Sequence, residues 1–81
     1  IDFTWDVAFT REYVGDVPTE MLRHFFASLC AAMRCNMYVS ARGENNHHKA
    51  EALFKAFARA LRAAVKRDVF SYELPSSKGV L

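Results

Sequence analysis

The chain has 81 residues, 52% hydrophobic, 14% aromatic and 25% charged, with a formal net charge of +2. This is a globular composition, and the charge is too small to argue for a nucleic-acid partner. No run is long and apolar enough to span a membrane and no signal-peptide pattern opens the chain, so no membrane partner is expected.

Residues 2–10, "DFTWDVAFT", alternate: Phe3, Trp5, Val7 and Phe9 fall on one side, with Asp2, Thr4, Asp6 and Thr10 on the other. That pattern predicts a half-buried strand, followed by a turn around Gly15 and Asp16. From Thr19 to about Met33 the period becomes helical, with Met21, Leu22, Phe25, Phe26, Leu29, Cys30 and Met33 forming a broad apolar stripe. Pro18 and Thr19 suit the start of this helix, and Glu20 suits its positive first turn.

A second strand is expected over residues 35–42, "CNMYVSAR", ended by Gly43. Asn46 then reads as the N-cap of a helix from His47 to about Lys66, whose buried face comprises Ala50, Leu53, Phe54, Phe57, Ala58, Leu61 and Val65. The tail "ELPSSKGVL" reads as a loop. Cys30 and Cys35 match neither a CxxC redox pair nor a zinc knuckle, so they are expected to be free buried thiols in a reducing, cytoplasmic compartment. The element order predicts a single α+β domain over residues 1–81, a two-layer sandwich with helices packed on one face of a β-sheet. A domain this short hides only about 60–65% of its unfolded surface, so some of its seven Phe are available to face another subunit. The chain opens at Ile1, without Met and inside the first strand, which reads as the later part of a longer protein.

The stretch "GENNHHKAEALFKAF" carries the chemistry. On a helix His47 and Glu51 share a face one turn apart, and His48 lies on its flank. An imidazole and a carboxylate so placed can close on a divalent cation, leaving the neighbouring imidazole for a second ion or another ligand set. The positive end of the helix also disfavours imidazolium, keeping the ring lone pairs free. An exposed, solvated His pair is the plain alternative. His24, on the edge of the first helix's stripe, is a further candidate ligand if the two helices pack side by side. Ser76, Ser77 and Lys78 beside Gly79 suit a phosphate or carboxylate, without forming a Walker loop. Lys55 could point to the same region. Together with Arg59, Arg62 and Lys66, it otherwise forms a solvated basic face that lacks the interleaved aromatics of a nucleic-acid binder.

The stretches "GENNHHKAEALFKAFARALRAAV" and "LPSSKGVL", with "VGDVPTEMLRHFFASL" before them, make the chain resemble the C-terminal half of imidazoleglycerol-phosphate dehydratases. The resemblance runs along essentially the whole chain. It implies one half of an internally duplicated fold, with two manganese ions per site held by histidines and glutamates from two HHxxE helices. His47, His48 and Glu51 match one such motif, as metal ligands and catalytic residues, with the adjacent histidines serving different ions. His24 matches the histidine that completes the ligand set. Ser76, Ser77 and Lys78 match the substrate-phosphate loop, and Lys55 a lysine near that phosphate. The implied reaction is the manganese-dependent dehydration of D-erythro-imidazole-glycerol phosphate to imidazole-acetol phosphate in histidine biosynthesis. Family resemblance also implies a large cubic homo-oligomer with sites at subunit interfaces.

The chain departs from that pattern in carrying one HHxxE where the family needs two. The N-terminal half is therefore expected either outside this sequence or replaced by a second copy of this one. A different reading is a non-catalytic half-domain in which the same ligands bind an ion that only cements an oligomer.

Overall fold

Alternation of Phe3 and Trp5 with Thr4 and Asp6 produces β1 (Phe3–Asp6), whose first and third residues are half-buried and whose others are exposed. The computed structural model describes residues 2–73, with side chains as far as Lys66. After β1 come β2 (Tyr13–Val14) and β3 (Val17–Pro18), an antiparallel hairpin. Its loop is Gly15-Asp16, and Gly15 takes φ +61, which a residue lacking Cβ adopts at little cost. Helix α1 (Thr19–Met33), β4 (Met37–Ser40) and helix α2 (Asn46–Glu73) complete the order.

β1 and β4 pair in parallel, Phe3 opposite Met37 and Trp5 opposite Val39, so the apolar residues of both strands share one face. Both helices cover that face. Phe26 of α1 is 1% exposed, and its ring lies 5.9 Å from Trp5, 5.1 Å from Phe54 and 5.6 Å from Phe57. Leu22, Cys30, Ala50 and Leu53 are buried around it. The architecture is the expected α+β arrangement, a small sheet with two helices on one side.

Both strands are shorter than the sequence suggests. Alternating burial does continue from Val7 to Thr10, but the ladder ends at Asp6, and residues beyond it bond to α2 side chains instead. At the other end Arg34 closes α1 in the left-handed region (φ 55, ψ 50), and the Cys35 N–H returns to the Cys30 carbonyl at 3.2 Å, so neither joins β4. Thr19 anchors the start of α1: its backbone N–H donates to the Glu12 carbonyl at 2.8 Å and its hydroxyl to Arg11 and Glu12 carbonyls at 3.0 and 3.2 Å.

α2 is longer than expected, running to Glu73 rather than Lys66, since no Gly or Pro interrupts the sequence before Pro75. Its expected buried face is realised only in part. Ala50 and Leu53 are buried and Phe57 and Leu61 half-buried, whereas Ala58 is exposed, Phe54 is 42% exposed and Val65 52%. Length explains this, because a helix of 28 residues is about 42 Å long and a strand of four about 13 Å. The α1 stripe is split likewise: Leu22, Phe26 and Cys30 are buried, while Met21, Phe25 and Met33 are exposed.

Both cysteines are free; Cys30 is buried and Cys35 only half-buried. Burial pushes the Cys30 thiol above the usual range, and it donates to the Cys35 carbonyl at 2.9 Å. Among the described residues no helix is long and apolar enough to cross a membrane.

Candidate functional site

The first turn of α2 is built by the segment before it. Gly43 adopts φ +142, a conformation that L side chains rarely enter, and lets β4 turn out of the sheet. The helix is capped by Asn45 rather than Asn46: the Asn45 side-chain oxygen accepts the His48 N–H at 2.9 Å and its carbonyl accepts the Lys49 N–H at 2.9 Å. Asn46 faces the strand side instead. Its side-chain N–H donates to the Thr10 hydroxyl at 3.0 Å, and its side-chain oxygen accepts the Thr10 N–H at 3.3 Å.

His47 and His48 on this turn and Glu51 on the next are all exposed, so the side chains singled out for metal binding face outward. The two imidazole rings are 6.3 Å apart with their planes at 73°. An ion about 2.1 Å from a ring nitrogen lies about 3.2 Å from that ring's centre. One ion shared by both rings in this arrangement would have to sit almost on the line joining them. Two adjacent side chains diverging by about 100° around the helix present their nitrogens to different regions instead. His47 also borders a polar hollow of about 430 Å³, together with Arg11, Tyr13, Glu44 and Asn45.

His24 is exposed on α1, and the two helices do lie side by side, but their packing does not gather the three imidazoles. Among the described residues no three His, Cys, Asp or Glu side chains come together as a ligand set. The reason is the level at which the helices touch. Phe25 and Phe26 meet Phe54, and Phe26 also meets Phe57. Seven residues separate His47 from Phe54, which is about 10 Å along the axis. His24, next to Phe25, is therefore at the level of Phe54, about two turns past the start of α2. Lys55 is exposed. Ser76, Ser77 and Lys78 lie outside the described residues.

The donors fit a divalent cation in part: nitrogen and carboxylate ligands of the right kind, too few for any one ion. Among the described residues none of the four side chains takes part in a hydrogen bond or ion pair; the backbone N–H of His48 donates to the Asn45 side chain. Such donors can serve ligand sets completed from elsewhere.

One residue of the turn is absent from the sequence reading. Lys49 is only 7% exposed, and its ammonium donates to the carbonyls of Ala8 and, at 3.1 Å, Gly43. It also lies 5.3 Å from the centre of the Phe9 ring. The available signal was positional, since Lys49 stands four residues before Leu53 and next to Ala50, on the buried face of α2.

Comparison with known proteins agrees with the motifs. The model of the family described as imidazoleglycerol-phosphate dehydratase matches residues 2–61. The chain is 57% identical over 77 residues to a histidine biosynthesis bifunctional protein HisB of Bacteroides fragilis, an alignment spanning 95% of this chain and 21% of that protein. Proteins of the same description from Spirosoma linguale and Xanthomonas euvesicatoria are each 53% identical, over 78 and 79 residues, covering 95% and 98% of this chain and 20% of theirs. The chain thus spans about a fifth of the length of these curated relatives. No solved structure matches it.

Proposed function

Because the chain belongs to the imidazoleglycerol-phosphate dehydratase family, we propose that it supplies part of the active site of a carbon–oxygen lyase in histidine biosynthesis. The reaction is removal of water from D-erythro-imidazole-glycerol phosphate to give imidazole-acetol phosphate. One observation carries the reading: the first two turns of α2 present two imidazoles and a carboxylate to solvent, while Asn45, Asn46 and Lys49 fasten the start of the helix from behind.

In this reading His47, His48 and Glu51, with His24 from α1, hold manganese ions, the two adjacent histidines serving different ones. The remaining ligands come from a second, similar half or from a neighbouring subunit of a large homo-oligomer. Bound manganese supplies Lewis acidity toward the substrate's imidazole. The chain's own contribution is placement. Ser76 and Ser77 donate hydrogen bonds to the substrate phosphate, Lys78 and Lys55 supply charge, and holding that end turns binding energy into orientation at the reacting carbon. A biosynthetic enzyme of this type works in the cytoplasm.

The exposed aromatic side chains favour a second reading to be tested beside it. Phe25 and Phe54 are 47% and 42% exposed, their rings 5.7 Å apart, so the unit presents an apolar surface suited to assembly. If the ions only cement that assembly, the protein binds manganese without dehydrating anything. Mn(II)-dependent dehydration by the full-length protein and its His48→Ala variant separates the two. The enzyme reading expects activity in the wild type and its loss in the variant; equal activity in both would remove His48 from the chemistry.

A further inference from the structure

We infer that Lys49 is a positioning residue: its buried ammonium fixes where the first turn of α2, and with it His47 and His48, stands relative to β1. The functional half of this inference rests on the metal-site reading proposed above.

An ammonium group is costly to withdraw from water unless its N–H groups find acceptors. Lys49 meets this condition with groups from two separate segments. Ala8 belongs to the stretch that continues β1 past the end of its ladder, 41 residues before Lys49, and Gly43 to the loop joining β4 to α2. The Phe9 ring covers a further side of the cation. One charged atom thus ties strand, loop and helix together immediately behind the histidines. The Asn46–Thr10 pair makes a second tie between the same two stretches, three residues earlier on the helix and two residues later on the strand side.

The position of Lys49 on α2 decides what this tie controls. Lys49 lies about 100° around the helix from His48 and about 200° from His47, so it points inward where they point outward. Its side chain cannot join them as a ligand or touch a substrate on their side. Its effect on the site is mechanical: it resists rotation and lift of the turn that carries the donors. Groups hydrogen-bonded directly to metal ligands alter affinity about 10–100-fold when removed, and Lys49, which holds the helix start and not the ligands themselves, should act at or below the low end of that range.

The test uses the full-length protein and a Lys49→Met variant, which keeps the apolar stem and removes the donors. The first readout is amide hydrogen exchange over residues 46–51 without metal, and it does not depend on the metal-site reading. Exchange there should speed up roughly tenfold relative to α1. The second is Mn(II) affinity by titration, where the dissociation constant should rise by up to about 10-fold. A Cys30→Ala variant, which trims a buried side chain far along α1, serves as the control for destabilisation alone and should leave both readouts as in the wild type. If Lys49→Met folds poorly, Lys49→Arg, whose longer side chain displaces the donors, is measured in its place; faster exchange over residues 46–51 than in the wild type is expected, and unchanged exchange overturns the inference. Unchanged exchange in Lys49→Met, or a shift in Cys30→Ala as large as in Lys49→Met, overturns the inference. If the wild type binds no Mn(II), the metal-site reading fails, and the exchange rates judge Lys49's hold on the turn separately.

Discussion

Thr10 and Asn46 are joined twice: the Asn46 side chain donates to the Thr10 hydroxyl at 3.0 Å and accepts the Thr10 backbone N–H at 3.3 Å. The pair links an extended segment that has left its sheet to the first residue of the helix bearing the histidines. A double-mutant cycle with Thr10→Val and Asn46→Ala should give a coupling of about 0.5–1 kcal/mol in unfolding free energy, the range for neutral hydrogen bonds at a partly solvated site. Strictly additive single effects would mean that the two residues do not hold each other in solution.

Phe26 is the centre of the packing, touching the strand through Trp5 and α2 through Phe54 and Phe57. Phe26→Ala should cost about 3–5 kcal/mol, a large share of what a small unit possesses. Thermal melting followed by circular dichroism checks this. A loss below about 1 kcal/mol would show that the aromatic cluster collapses to refill the space.

Arg42 approaches Asp6 at 2.7 Å on the solvent side of the sheet. The hydrogen bond from Arg42, and then its charge, hold the Asp6 carboxyl below its ordinary range. Since the folded-state value is the lower one, the pair adds stability above the ordinary carboxylate range and loses it as pH falls through the lowered value. Both side chains are well exposed, 71% and 48%, so the contribution is small and screened by salt. NMR titration of Asp6 should show its midpoint move up in Arg42→Met. An unchanged midpoint would contradict the pairing.

The metal reading predicts that ions shared between similar units also help to hold the assembly. Stripping divalent cations from the full-length protein with a chelator should reduce its size in light scattering, and Mn(II) should restore it. An assembly of the same size after complete stripping would show that apolar contacts alone sustain it.

Much of this architecture is legible in residue patterns, because periodicity reports which face of an element meets the core. The alternation of Phe3 and Trp5 with Thr4 and Asp6, and the helical stripe through Leu22, Phe26 and Cys30, both lead to the buried faces observed. Periodicity does not report where a partner runs out. Val7 and Phe9 keep the alternation after β1 has lost its ladder, and Val65 keeps the helical stripe where α2 has passed the sheet. The site is legible in a similarly partial way. The HHxxE spacing places three donors on two successive exposed turns, but only three-dimensional packing reveals that His24 is level with Phe54. Adjacent asparagines look alike as caps. The choice falls on Asn45 because Thr10, 36 residues away in sequence, occupies Asn46. Lys49 was hidden for another reason: a lysine reads as surface unless its acceptors are known, and these are backbone carbonyls of Ala8 and Gly43, which no side-chain pattern displays.

In the proposed site, neighbouring imidazoles on one helical turn serve different cations. Manganese stoichiometry of the full-length protein, measured for the wild type, His47→Ala and His48→Ala, checks this division of labour. Two ions per site are expected in the wild type, and one is lost in each variant. Stoichiometry unchanged by both substitutions would contradict it.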